Sequence, residues 1–297
     1  MLTDPVDLKF QVSSPANLKL NNVSGSVIIQ AAEEEVIHIF AIKQPGSGDM
    51  DQTSVECTQS DDGTVSVATK FQDHALNLLR GMTICDVDYL VKVPKQTNID
   101  IKVVSSEVKV SEITGNSEFK TVSGDIHLDS ISGKINIESV SGDIVGNDLT
   151  GTLLSKTVSG DINLSNADLD QVKFHSTSGD LILDTKLGEG PFQFNTVSGD
   201  VILKLSQMVD AEMTLKSLSG SLRTNLPVQR SNQSNGRQSV IFGQGGAQVT
   251  MNSVSGDLSV SSSEGIQRKS PANISDIISK IDNGDLTVEQ ALEQLNG

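Results

Sequence analysis

Between Val104 and Val201 the apolar side chains recur on a fixed beat. Val104, Val108, Val110 and Ile113 fall at steps of four, two and three, and Val122, Ile126, Leu128, Ile131, Ile135, Ile137 and Val140 repeat that rhythm. A step of two is strand alternation, in which every second side chain faces the same side. An amphipathic helix would place apolar residues three and four apart, with no steady step of two. The longer steps cross glycine-containing bends, where the backbone needs a left-handed conformation or room for a close neighbour.

Glycine sets the period. Gly115, Gly124, Gly133, Gly142, Gly151 and Gly160 are each nine residues apart, and alternate ones differ in kind. Gly124, Gly142 and Gly160 sit in Val-Ser-Gly-Asp-Ile, whereas Gly115, Gly133 and Gly151 sit in Thr-Gly-Asn, Ser-Gly-Lys and Thr-Gly-Thr. The unit is therefore eighteen residues, lengthening to twenty-one by Gly220. Further copies stand at Thr177-Ser178-Gly179-Asp180-Leu181, Val197-Ser198-Gly199-Asp200-Val201, Leu218-Ser219-Gly220-Ser221-Leu222 and Val254-Ser255-Gly256-Asp257-Leu258. One such unit is a poor core alone, and stacking merges the aliphatic rows. The pattern predicts an all-β fold: a parallel β-solenoid, like a single-stranded β-helix, of 18–21 residues per coil. Successive coils are expected ~4.8 Å apart.

Four segments follow from the breaks in the beat. Residues 1–103 read as an irregular β start of the same solenoid, and 104–260 as its regular part. Within the first, Ser54–Thr58 and Val65–Ala68 flank Asp61-Asp62-Gly63 as a hairpin. Phe71 to Met82 reads as one helical turn or an insertion, and Pro227 to Gln238 as a long polar loop. Residues 261–272 look like a linker. Residues 273–297 predict a small α-helical hairpin. Asn273 or Ser275 caps a helix with Ile277, Ile278 and Ile281, and Asn283-Gly284 ends it. Thr287 and Gln290 form a capping box for a second helix carrying Val288, Ala291, Leu292 and Leu295. Its stripes either pack on each other and the solenoid end, or serve self-association or a protein partner through Ile277, Ile278, Ile281, Leu292 and Leu295.

Composition narrows the classes. The 297-residue chain carries a formal charge of −16, which argues against a nucleic-acid partner and against adsorption on an anionic leaflet. It has no Trp, one Tyr and eight Phe, as suits a thin interior filled by aliphatic columns. Cys57 and Cys85 do not make a disulfide framework; they read as reduced and buried, with a bridge across the hairpin as the alternative. Met1-Leu2-Thr3-Asp4-Pro5 shows no basic and apolar leader, and no stretch approaches the ~20 apolar residues that span a bilayer. The expectation is a cytoplasmic chain or one peripheral to the cell envelope.

The Val-Ser-Gly-Asp-Ile repeats resemble the bacterial "putative adhesin" β-strand-repeat domain of unknown function. So do Asn22-Val23-Ser24-Gly25-Ser26-Val27 and the tyrosine strand ending Val91-Lys92-Val93-Pro94. The resemblance spans residues 8–260, and Ile277 to Leu295 is similar to a two-helix module often appended to such proteins. It implies a β-helical fold, a non-enzymatic role near the cell envelope, and assembly or protein contacts through the tail.

Candidate chemistry is sparse. Asp125, Asp143, Asp161, Asp180 and Asp200 should stack, one per coil. Stacked carboxylates repel, so each either accepts bend N–H groups or faces water, or the column takes divalent cations weakly. The serines beside them read as turn chemistry. His38, His74, His127 and His175 have no metal-site or triad spacing, with His127 and His175 on outward positions. Gly243-Gln244-Gly245-Gly246 is a weak echo of a phosphate loop. No cofactor is expected. The leading reading is a non-enzymatic interaction scaffold. A calcium-stabilised surface adhesin and a polysaccharide-processing β-helix enzyme are its rivals.

Overall fold

The computed structural model of the chain describes residues 5–48, 50–71, 85–206 and 210–263. All 24 elements among them are strands. The chain opens with β1 (Val6–Gln11), β2 (Ala16–Asn22), β3 (Ser26–Ala32), β4 (Val36–Lys43), β5 (Thr53–Gln59) and β6 (Val65–Phe71). It continues with β7 (Val87–Pro94), β8 (Thr97–Val103), β9 (Glu107–Ser111), β10 (Thr114–Thr121), β11 (Ile126–Asp129) and β12 (Ser132–Ser139). Next come β13 (Ile144–Asn147), β14 (Thr150–Thr157), β15 (Ile162–His175), β16 (Leu181–Leu187), β17 (Phe192–Asn195) and β18 (Val201–Leu205). Last are β19 (Ala211–Ser217), β20 (Leu222–Thr224), β21 (Arg230–Ser234), β22 (Arg237–Phe242), β23 (Ala247–Ser253) and β24 (Leu258–Ser262).

Each coil gives one strand to each of two ladders. In the regular part β10, β12 and β14 pair in parallel, with Gly115 opposite Gly133 and Gly133 opposite Gly151. The second ladder runs β9, β11, β13 and β15, also parallel. Its inward column stacks Ile126 on Ile144, Ile162, Leu181, Val201 and Leu258, none more than 1% exposed. Strand alternation puts these residues and the first ladder's Ile135, Ile137, Phe174, Phe192 and Phe194 in one shared core. The aromatics fill it where the coils lengthen. At the phrase itself the neighbouring backbones nearly touch: a Cβ on Gly142 would lie 2.0 Å from the Gly124 carbonyl oxygen.

At both ends the coils leave chain order. The first ladder reads β5-β6-β2-β8 at its start and β17-β23-β19-β22-β21 at its finish. The second reads β1-β4-β7-β3-β9 and β16-β18-β24-β20. So the first coil, β2 and β3, lies inside the coil made by β6 and β7. The last coil, β23 and β24, lies inside the coil made by β19 and β20. Antiparallel strands finish each end: β5, β4 and β1 on one side, β22 and β21 on the other. They pair the edge strands β6, β7 and β19 of the parallel stack and become its outer edges in turn.

Three expectations need correction. No helix occurs among the described residues, so the fold class is all-β there, and the α-helical hairpin expected at the C-terminus is not part of it. Residues 273–297, with Ile277, Ile278, Ile281, Leu292 and Leu295, lie outside the described residues, and self-association through C-terminal helices loses its basis. The signals behind it were local: a cap is worth about 1 kcal/mol, and helices that short are marginal without a surface to pack on. The end of the solenoid is finished by strands instead. Second, much of the polar loop expected over Pro227–Gln238 is the hairpin β21–β22. Polar composition hid it because β21 is exposed along its whole length. Third, Val104, Val122 and Val140, counted in the apolar beat, point outward. Phe71 alone of the ambiguous Phe71–Met82 stretch is described, as the end of β6.

Candidate interaction surface

Strand parity decides which part of the repeated phrase meets solvent. Phe119 and Thr121 face the core, so Val122 faces out. The same holds in the coils from Val104 onward: Val104, Val122, Val140, Val158, Val197 and Val254 are 45–49% exposed, and Leu218 is 85% exposed. Thr177 takes the place of valine in its coil and is also exposed. Serine amides lock this ridge in register. Ser123 N–H donates to the Val104 carbonyl at 2.8 Å, Ser141 to Val122 at 2.9 Å and Ser159 to Val140 at 3.0 Å. Later rungs are Ser198 to Thr177 and Ser219 to Val254. At the usual strand spacing the ridge is ~34 Å long.

Beside it runs a carboxylate ladder. Asp143 N–H donates to Asp125 Oδ1 at 2.9 Å, and Asp161 to Asp143, Asp180 to Asp161, Asp200 to Asp180 and Asp257 to Asp200 follow at 2.8–2.9 Å. Ser221 N–H closes the series on Asp257 Oδ1 at 2.7 Å, and Arg223 reaches Asp257 Oδ2 at 3.1 Å. Each carboxylate thus holds the bend of the next coil, which offsets repulsion along the column. The five aspartates singled out in the sequence do come together, as hydrogen-bond acceptors for the backbone. Among the described residues no three His, Cys, Asp or Glu side chains gather as a metal-ligand set.

On the buried side of the bend a hydroxyl column completes the corner. Gly124 N–H donates to Thr121 Oγ1 at 2.9 Å, Gly160 to Thr157 at 3.0 Å and Gly199 to Thr196 at 2.8 Å. The exposed serines donate their hydroxyls to carbonyls one coil back, as Ser141 does to Val122 at 3.2 Å. These serines are turn chemistry. The outward ridge was readable from alternation: counting by twos from Phe119 passes through Thr121, not Val122.

The other titratable groups sit apart. His127 lies outward, 3.2 Å from Glu107, and His38 lies 2.6 Å from Asp7. His127, with Lys109 at 3.1 Å, holds the Glu107 carboxyl below its ordinary range. The Ser60 hydroxyl and the Thr64 amide pull Asp62 down to about 2 at the β5–β6 turn. Cys57 and Cys85 are unpaired; Cys85 is buried and Cys57 half-buried, with burial pushing the Cys57 thiol up to about 11. His175 is exposed on β15, and His74 lies outside the described residues. Gly243 to Gly246 is the turn between β22 and β23, with Gln244 N–H held by Asp210 at 2.9 Å.

The family model described as Toastrack DUF4097 matches residues 16–261. No curated protein matches the chain. Among solved structures, a "putative lipid binding protein" from Parabacteroides distasonis is 15% identical; 86% of this chain and 96% of that chain are covered, at a TM-score of 0.47. A "putative adhesin" from Bacteroides fragilis is 13% identical, covering 87% and 97%, at 0.45. A "putative adhesin" from Parabacteroides merdae is 14% identical, covering 86% and 95%, at 0.33.

Proposed function

The chain belongs to the Toastrack DUF4097 family, and on that footing we propose that it is a non-enzymatic interaction scaffold whose working surface is the valine ridge with its flanking aspartates. The continuous ridge carries this reading. Scattered exposed apolar residues are ordinary, whereas an ordered apolar row beside a row of charge marks a recognition surface. The rigid backing supports it too. Every rung is tied to the next by hydrogen bonds from Ser amides to carbonyls and from Asp amides to carboxylates, so the ridge needs no ordering when a partner arrives. Its partner is a protein that lays apolar side chains along the valines and cationic ones against the carboxylates.

Site-specific photo-crosslinking in the native cell tests this. A crosslinking residue at Val140 should give a discrete adduct, and one at Lys186 on the outer face of β16 should not. Val158→Asp in the same chain should abolish the Val140 adduct. Equal adducts from both positions, or one indifferent to Val158→Asp, would remove the ridge from the function.

A further inference from the structure

The outer hairpin at one end of the solenoid is basic, and the outer turns at the other end are acidic. In a chain of net charge −16, the end built by β19, β22 and β21 presents Lys216, Arg230 and Arg237 on its outer face. None of the three has a salt bridge among the described residues, and Arg230 and Arg237 line a concavity of about 450 Å³ with Asn232, Ser234, Ser239 and Glu212. At the opposite end Glu33, Glu34 and Glu35 form an exposed turn, and Asp61 and Asp62 another. Val12 N–H bonds to the Glu35 carbonyl, and Gln59 Nε2 to the Gln11 carbonyl at 2.8 Å, which draws both turns to one side of that end.

These ends also terminate the same ladder. Its outermost strands are β21, exposed throughout, and β5. Among the described residues β21 pairs in the sheet only with β22 and β5 only with β6, and a terminal strand is a ready template for another chain. Because β5 runs against the parallel body and β21 runs with it, an end-to-end contact between them is antiparallel. We propose that copies of this chain associate head to tail, the basic hairpin β21–β22 of one copy docking on the acidic turns 33–35 and 61–62 of the next. Like ends repel, so a two-fold head-to-head dimer is disfavoured, and a heterologous contact of this kind builds rows. The contact is separate from the valine ridge, but it would line up the ridges of successive copies.

Charge-swap sedimentation of the full chain decides the matter. At about 20 mM salt the wild-type chain should exceed its monomer mass of 31.5 kDa as concentration rises, and return to it at about 500 mM, where screening is strong. Arg230→Glu with Arg237→Glu should be monomeric alone. So should Glu33→Lys with Glu34→Lys and Glu35→Lys. Mixed together these two variants restore a complementary contact at every joint and should assemble again. Circular dichroism of each variant must match the wild type; should either swap unfold, Arg230→Ala and Glu34→Ala weaken the same contact without reversing charge. A wild-type chain that stays monomeric at low salt, or variants that stay monomeric when mixed, would overturn the proposal.

Discussion

Gly142→Ala measures how tightly the coils are stacked. A Cβ at that position would lie 2.0 Å from the Gly124 carbonyl oxygen and 2.7 Å from its carbon, both backbone atoms that cannot swing aside. Relief requires the two coils to part by about 1 Å, and a hydrogen bond near 2.9 Å stretched that far is lost. Three inter-coil bonds flank the glycine: Ser141 N–H to Val122 O, Asp143 N–H to Asp125 Oδ1 and Ile126 N–H to Asp143 O, each 2.9 Å. At about 1 kcal/mol apiece, with about 1–2 kcal/mol for disturbed packing beneath, the substitution costs about 4–5 kcal/mol. Gly63→Ala is the control. Its φ is +81° and nothing lies within 4 Å of the added methyl, so only backbone strain of about 1–2 kcal/mol remains. Urea denaturation of both variants at neutral pH compares them directly; with a slope near 3 kcal/mol per molar, Gly142→Ala lowers the midpoint by about 1 M or more. If Gly142→Ala costs no more than Gly63→Ala, the close stacking at the bend is not what demands glycine there.

Other outcomes follow from the corner chemistry. Asp161→Ala removes the acceptor of the Asp180 amide and should cost about 1 kcal/mol, while Asp161→Asn keeps an acceptor, relieves repulsion and should stay within about 0.5 kcal/mol of wild type in the same denaturation assay. Because the Oδ1 atoms are engaged with amides and calcium asks for six or more oxygens, millimolar calcium should move the melting temperature by less than about 1 °C; a rise of several degrees would restore the cation reading. Glu107 has a folded pKa below its unfolded one, so its ion pairs stabilise above the unfolded value near 4.3 and fade as pH falls through the folded value. The wild type's advantage over Glu107→Gln, under about 1 kcal/mol for a half-buried pair at the surface, should be present at pH 7 and shrink on acidification as the carboxyl takes up its proton.

Much of this molecule is legible from spacing because a coil repeats one set of contacts. The eighteen-residue glycine period gave the register of Gly115, Gly133 and Gly151 outright. The aspartate column was legible for the same reason, and the bend amides that engage it were one of the three readings its mutual repulsion left open. Val122 and Val140 were misplaced because hydrophobicity alone was counted across a bend, where parity changes hands. Coil order at the ends was hidden for a different reason. Which coil lies outside which depends on long-range pairing, such as β23 with β17, and no local pattern encodes it. The basic hairpin escaped notice because Arg230–Ser234 buries nothing, and burial is what strand patterns report.

The interleaved ends bear on how the protein is made. A ribosome releases β19 and β20 before β23 and β24, yet the later pair belongs between the earlier one and the body. Winding cannot simply proceed turn by turn behind the exit tunnel: the penultimate layer must wait, held open or filled provisionally, until residues 247–262 arrive as a keystone. Trimming the C-terminal part of the fold therefore does not shorten the stack by its outermost layer. It pulls a brick from inside the wall, and the cap above is left with nothing to stand on.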